Sequence, residues 1–306
     1  MRLPSLLPRQ RAKQQVERGL ISPADWRSPR IRWALRIIQG ATLVFLLIFG
    51  LGPLLWLAKA SIATTQDTLR FPMALWPHGF DLGNFVTAWS QTHIDRYFLN
   101  TVWIAAGSWL VQIVVATTAG FALSVLRPRF ARVMTGMILA TLFVPSIVLL
   151  VPLYLTVVDV PVLHLRLIDS FWAVWLPAGA NAFNVVLMKR FFDNLPREIF
   201  EAARVDGAGP LRMFWSIVLP LSKPIIGVVS VFAVIGTWKD YLWPLLVLRN
   251  PDIQPLSVRL PTLQPATELN IFLAALAIAT LIPIALFLIF QRMFLRGGGL
   301  GGAIKG

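Results

Sequence analysis

The sequence is dominated by long apolar runs that contain few or no charged side chains. A helix needs about 20 apolar residues to cross roughly 30 Å of hydrocarbon at about 1.5 Å per residue, and six runs reach that length. They cover residues 34–57, 101–126, 133–158, 168–188, 225–248 and 271–291. Hydrophobic residues make up 57% of the 306 and charged residues only 14%, against about 45–50% and about 25% in soluble domains. The pattern therefore excludes an ordinary soluble domain and predicts an all-α integral membrane protein with six transmembrane helices.

The basic residues are concentrated on one predicted side of the membrane. With the N-terminus in the cytoplasm, 21 of the 28 Lys and Arg residues fall inside and 7 outside, whereas the 14 acidic residues divide into 6 and 8. Because cytoplasmic loops carry the excess of Lys and Arg, topology accounts for the net charge of +14 without nucleic acid as a partner. The predicted parts are a basic cytoplasmic arm (1–33), a membrane domain (34–295) with an outer segment (58–100) and a cytoplasmic loop (189–223), and a short cytoplasmic tail (296–306).

Several kinds of chemistry are excluded by what the sequence lacks. It has no cysteine, its three histidines have no metal-binding spacing, and no phosphate-cradling Walker A loop is present. The runs 101–126 and 133–158 contain no charged residue, although a proton or ion relay usually needs ionisable groups at membrane depth. We therefore predict no catalytic residue, no metal and no cofactor on this chain, and energy for uphill transport must come from another polypeptide.

A small set of polar residues inside the predicted spans could line a solute path. The amides could bind solute hydroxyl groups, although hydrogen bonds between helices are their commoner use. Lys239 lies about 21 Å along the fifth span at about 1.5 Å per residue, so it could extend to the outer boundary or line the path with Asp240. The candidates for the path or its gate are Gln112, Asn181, Asn184, Trp238, Lys239 and Asp240.

The cytoplasmic loop contains the signals of two short helices. Pro196 suits a first helical position and Gly207 suits the position just after a helix end. A second helix starts at Pro210, carries Leu211, Phe214, Trp215 and Val218 at the spacing of one face, and is closed by Pro220 and Pro224. Ile199, Phe200 and Ala203 give the first helix an apolar face. That face fits either a groove on a partner protein or the surface of the lipid bilayer.

The same loop resembles a known family pattern. Glu201-Ala202-Ala203, then Gly207, then Ile217 to Pro220 are similar to the EAA loop of permeases from binding-protein-dependent ABC importers. Other segments resemble the carbohydrate-uptake branch, which includes the smaller maltose-transporter permease and the glycerol-3-phosphate importer permease. These segments are Phe71-Pro72, Asn84-Phe85, Asn100-Thr101, Val144 to Ser146, Pro152 to Tyr154, Leu167 to Ser170, Trp238 to Leu245 and the ending Gly302 to Gly306.

The resemblance implies a type I importer bundle of six helices with a cytoplasmic coupling helix, in a bacterial plasma (inner) membrane with both termini in the cytoplasm. Its partners would be a second permease, two copies of an ABC ATPase that bind ATP and Mg, an extracytoplasmic solute-binding protein and membrane lipid. The coupling residues would be Glu201, Ala202, Ala203, Asp206, Gly207 and Pro220.

The expected solute is a sugar or oligosaccharide. Lys239 stands where the family often has Asn, which leaves open an anionic or phosphorylated polyol such as glycerol-3-phosphate. Two other classes also stay open, namely a gradient-driven carrier that acts alone and a membrane scaffold that transports nothing.

Overall fold

The computed structural model describes residues 29–297, and these residues form helices without a β-strand, apart from two isolated β-bridges. The predicted arm before residue 29 and the predicted tail after residue 297 lie outside the described residues. Helix α1 (Pro29–Ser61) passes at residue 57 from one compact unit of the chain into a second unit, to which every later helix belongs.

The second unit contains fourteen helices among its described residues. They are α2 (Thr65–Arg70), α3 (Gly83–Gln91), α4 (Ile94–Phe121), α5 (Ala131–Thr141), α6 (Ser146–Val158), α7 (Trp172–Gly179), α8 (Ala182–Asp193), α9 (Arg197–Val205), α10 (Pro210–Met213), α11 (Leu219–Leu221), α12 (Lys223–Lys239), α13 (Leu242–Val247), α14 (Leu256–Leu263) and α15 (Leu269–Gly297). A π-helical turn, Ala122–Leu126, extends α4, and another, Phe214–Val218, joins α10 to α11. Short 3₁₀ turns lie at Pro251–Ile253 and Gln264–Ala266.

Some of the predicted spans are single long helices in the structure, and others are divided into shorter helices. Within the described residues, Pro29–Ser61 and Ile94–Leu126 are each long and apolar enough to cross a membrane, and the number rises to four if each of two bent pairs counts as one span. One bent pair is α5 with α6, which meet at 109°. The run 133–158 is thus not one straight helix, because Pro145 lacks the N–H that a continuous helix needs and disfavours a helical residue before it. The count of six stays a prediction.

The run 168–188 is also divided. Residues 168–171 precede α7, and α7 ends at Gly179 before α8 begins at Ala182. Both short helices pack mainly on α4, which also packs on α12. Around α4, the buried apolar side chains of the described residues form three clusters. The cluster next to the cytoplasmic loop includes Phe121, Met188, Phe192, Phe200 and Val218.

Candidate functional site

Helix α9 is a short element with a well-defined end. Asp206 closes it, the backbone N–H of Gly207 donates to the carbonyl of Arg204 at 3.0 Å, and that of Ala208 donates to the carbonyl of Ala203 at 2.9 Å. This is a Schellman motif, in which the residue after the cap adopts a left-handed backbone. Gly207 has φ +73°, as its predicted position requires.

The start of α9 differs by one position from the prediction. Pro196 is the N-cap residue, with φ −56° and ψ 130°, and Arg197 is the first helical residue. The missing N–H of proline is no loss there, because the first N–H groups of a helix have no partner within the helix in any case. Glu198 consequently lies in the first turn, where the helix dipole favours a negative charge.

The apolar face of α9 is covered by the chain itself. Phe200 and Ala203 are buried in the cluster with Phe121, Phe192 and Val218. Ile199, the third residue of the predicted face, is half-buried. The expectation that the face binds a partner or the bilayer is therefore wrong for Phe200 and Ala203, which are already buried within the permease. What α9 presents outward is its other face, with Glu198, Glu201, Ala202, Val205 and Asp206 exposed.

Glu201 borders a cleft of about 280 Å³ between α9 and the end of α4. Three arginines and Asp193 share the cleft with it. Although these cations are near, Glu201 makes no ion pair within 4.0 Å among the residues that the structure describes. Its carboxylate is thus exposed on a helix that is packed against the bundle, and it is available to a cation from outside the chain. The charged lining residues are Arg127, Asp193, Arg197, Glu201 and Arg204.

The second predicted helix begins at Pro210 as expected, with Gly209 as its N-cap. Its predicted apolar face is wrong in part: Phe214 and Val218 are buried, whereas Leu211 is 77% and Trp215 66% exposed. The π-helical turn at Phe214–Val218 changes the angular spacing of side chains, so a period of 3.6 does not place all four residues on one side. Pro220 lies in α11, and the chain bends by 79° between Leu221 and Lys223.

A polar network that the sequence did not single out lies beside α9. The Asp193 carboxylate accepts a hydrogen bond from Ser124 Oγ at 2.7 Å and one from Lys189 Nζ at 2.6 Å, and Arg127 Nη2 lies 3.7 Å away. Burial acts to raise the pKa of Asp193, but the bonds from Lys189 and Ser124 and the nearby positive charges hold it below the ordinary value. The spacing of Lys189 and Asp193 by four residues was the available sequence signal. The network joins the ends of α4 and α8 just before α9.

The amide candidates for the solute path are bonded to other parts of the chain. Asn184 Nδ2 donates to Gln112 Oε1 at 2.8 Å, which joins α8 to α4, and both side chains are buried. Asn181 caps α8 by accepting the backbone N–H of Asn184 at 2.9 Å. Asn184 Oδ1 is buried without a hydrogen-bond partner in the described part of the chain.

The remaining path candidates lie at the end of α12. Trp238 is buried, packs edge-on against Phe98 with ring centroids 5.8 Å apart, and donates to the carbonyl of Ala279 at 3.2 Å. Lys239 is the last residue of α12 and is exposed, and Asp240 is its C-cap with ψ 123°. The two charges therefore lie at a break between α12 and α13, not inside one continuous helix. Within residues 29–297, no hydrogen bond links this group to the amide pair, and no three His, Asp or Glu side chains gather as metal ligands.

The sequence that forms these helices matches a known family. The model of the binding-protein-dependent transport system inner membrane component matches residues 112–297. The chain belongs to this family. It is accordingly an inner-membrane permease component with several apolar helices.

Named relatives extend the match to most of the chain. The arabinooligosaccharides transport system permease protein AraQ of Halalkalibacterium halodurans is 31% identical over 285 residues, which cover 91% of this chain and 98% of that protein. The sn-glycerol-3-phosphate transport system permease protein UgpE of Escherichia coli is 33% identical over 266 residues, which cover 82% of this chain and 93% of that protein. The same fold is found in a chain of a bacterial ABC transporter involved in the import of alginate, an acidic polysaccharide. The TM-score is 0.73 at 22% sequence identity, and the match covers 87% of this chain and 97% of that chain.

Proposed function

We propose that this permease is one of two membrane subunits of an ATP-driven importer for a carbohydrate, with α9 as its coupling helix. The bundle is proposed to have six spans with both termini in the cytoplasm. Its proposed partners are a second permease, two copies of an ABC ATPase that hold ATP and Mg, and an extracytoplasmic solute-binding protein. The family relationship and the named relatives support this assignment.

The observation that carries the coupling role is the exposed carboxylate of Glu201 on α9, a helix that is packed against the bundle. Phe200 and Ala203 fix the helix to the bundle, Gly207 fixes its end, and Glu201 points a free carboxylate outward. A cation on the ATPase could form a charge-assisted hydrogen bond with Glu201. Because α9 is packed on the ends of α4 and α8, movement of the ATPase would shift those helices and change which side of the bundle is open.

The test replaces Glu201 by Gln in the assembled importer. We expect solute uptake in proteoliposomes to fall at least tenfold while the ATPase subunits still hydrolyse ATP, because removal of one partner of a sheltered charge pair costs about 2–5 kcal/mol. Glu198→Gln, on the same exposed face, is the matched control and should change uptake less than twofold. Equal uptake in both variants and in the unaltered importer would refute the coupling role of Glu201.

Gly207 gives a second test of the same role through the backbone. Gly207→Ala must adopt φ +73° at a cost of about 1–2 kcal/mol, so uptake should fall. Gly207→Asn should retain more uptake than Gly207→Ala, since Asn tolerates the left-handed conformation. Ala and Asn variants with the same uptake would contradict the argument that the helix end transmits force.

The substrate is proposed to be a neutral sugar or oligosaccharide, with a phosphorylated polyol as the second candidate. The similarity to the arabinooligosaccharides permease supports the first candidate. The exposed cation of Lys239 and the similarity to sn-glycerol-3-phosphate permeases support the second. A ligand screen on the partner solute-binding protein separates the two. Neutral oligosaccharides should bind and sn-glycerol-3-phosphate should not, and the reverse result would assign the second candidate.

A further inference from the structure

A second groove lies beside the first turns of α5, apart from the face of α9 proposed to meet the ATPase. Its volume is about 1000 Å³, at the upper end of the roughly 300–1,000 Å³ typical of ligand clefts. It is lined by the end of α4, the connection to α5, the first part of α5 and the end of α8. The lining residues used below are Arg127, Arg129, Arg132, Gly136, Leu139 and Lys189.

The mouth of this groove is strongly positive. Four basic side chains and one carboxylate, Asp193, line it. That carboxylate already accepts hydrogen bonds from Lys189 and Ser124. Arg129 and Arg132 are exposed and make no ion pair within 4.0 Å among the described residues. Two guanidinium groups with fixed donor geometry are therefore available to an anion, and phosphate is a group that arginine binds in a bidentate manner.

The wall of the groove becomes apolar along α5. Val133, Gly136 and Leu139 line it at every third residue, so they extend about 9 Å along the helix axis at about 1.5 Å per residue. A Cβ atom at Gly136 would meet nothing within 4 Å, which leaves the middle of the wall open. The groove thus changes from cationic to hydrocarbon-like along one helix, as the bilayer does from headgroup to acyl chain.

We propose that this groove binds an anionic phospholipid, with its phosphate held by Arg129 and Arg132 and one acyl chain along Val133, Gly136 and Leu139. A basic pocket between helices at the cytoplasmic boundary is suited to such headgroups. The position at that boundary rests on the proposed orientation, in which residues 127–132 face the cytoplasm. The combination of a charged mouth and an apolar wall favours a lipid over a soluble anion, which needs only the mouth.

Native mass spectrometry of the full importer complex in nanodiscs can test the charge at the mouth. Phosphatidylglycerol should remain bound in preference to phosphatidylcholine. The double variant R129Q/R132Q should bind it roughly 30-fold more weakly, since each Lys or Arg near an anionic surface contributes about a fivefold attraction. The control R212Q/K223Q removes two exposed cytoplasmic charges outside the groove and should bind it as the unaltered complex does. Equal losses in both double variants would overturn the proposal, since the attraction would then be non-specific.

The apolar wall is tested with the charges intact. Gly136→Phe should fill the open middle of the groove and reduce bound phosphatidylglycerol at least tenfold. Inorganic phosphate should bind far more weakly than the lipid in the unaltered complex. An unchanged lipid signal in Gly136→Phe, or phosphate binding as tight as that of the lipid, would overturn the proposal.

Protein occupancy of the groove is a separate outcome. Because the chain has no cysteine, Gly136→Cys introduces a unique thiol. Its crosslinking to the second permease would show that a protein fills the groove, which would also overturn the proposal. Lipid binding is measured without transport, so its failure leaves the importer assignment untouched.

Discussion

At the scale of single residues, Asp193 links two helices of the described chain. Its carboxylate joins Ser124 on the π-helical extension of α4 to Lys189 on α8. Asp193→Asn should keep the bond from Ser124 but lose the charge. We expect the free energy of unfolding to fall by about 1 kcal/mol, because charge-assisted bonds contribute about 1.5–3 kcal/mol and partly exposed ion pairs about 0.2–1 kcal/mol. Thermal unfolding of the purified chain in detergent at pH 7 measures this difference.

The pH dependence of that difference follows from the direction of the pKa shift. The pKa of Asp193 in the folded chain lies below its ordinary value of 3.8, so the carboxylate stabilises the fold above the unfolded pKa and loses this effect as pH falls through the folded one. The difference in the free energy of unfolding between the unaltered chain and Asp193→Asn should thus be constant from about pH 5 to pH 8. It should shrink below about pH 4. A gap that already closes between pH 5 and pH 7 would contradict this account.

At the scale of elements, the predicted run 168–188 is divided into α7 and α8, and each of these helices packs against a glycine of α4. A Cβ atom on Gly107 would overlap the indole of Trp175 on α7, and one on Gly120 would lie 3.0 Å from Met188 Cβ and 3.1 Å from the backbone N of Lys189 on α8. Small residues allow such close approach between membrane helices. Gly107→Ala and Gly120→Ala should each lower the free energy of unfolding by about 1–3 kcal/mol through overpacking, measured by thermal unfolding in detergent.

Gly136 on α5 is the matched control for these substitutions. A Cβ atom there meets nothing within 4 Å, so Gly136→Ala removes a helix-weakening glycine without a clash. It should leave stability unchanged or raise it by up to about 1 kcal/mol. Destabilisation by Gly136→Ala as large as that by Gly120→Ala would show that glycine matters here for a reason other than close packing.

The elements also show what the sequence could predict and what it could not. Gly207 and Pro210 were placed correctly because a left-handed helix end and a first helical position depend on local backbone chemistry. The surroundings of the apolar face of α9 were not predicted correctly, because Phe200 is buried by residues that are distant in sequence. The 109° bend between α5 and α6 was missed for a related reason: Pro145 marks a break, but the angle across a break is set by packing.

At the scale of the whole molecule, the question is whether this chain can transport alone. The runs 101–126 and 133–158 contain no Asp, Glu, His, Lys or Arg. The buried amides Gln112 and Asn184 bond to each other, and Lys239 is exposed at the end of α12. A gradient-driven carrier usually needs a titratable or ion-binding group within the bilayer. We therefore expect the purified chain alone in liposomes to show no solute flux under either a proton or a sodium gradient.

Flux should appear only when the second permease, the ATPase and the solute-binding protein are reconstituted with the chain and ATP is present. Radiolabelled uptake, with and without ATP, measures this requirement. The exposed apolar side chains of α6, with Val151 68% exposed and Leu155 61% exposed, give the chain surface to bury against a second permease or lipid. Flux through the chain alone that is abolished by Asp240→Asn and by collapse of the gradient would establish the carrier hypothesis instead. A complex that transports equally well without ATP would lead to the same conclusion, because the force on α9 would then have no source.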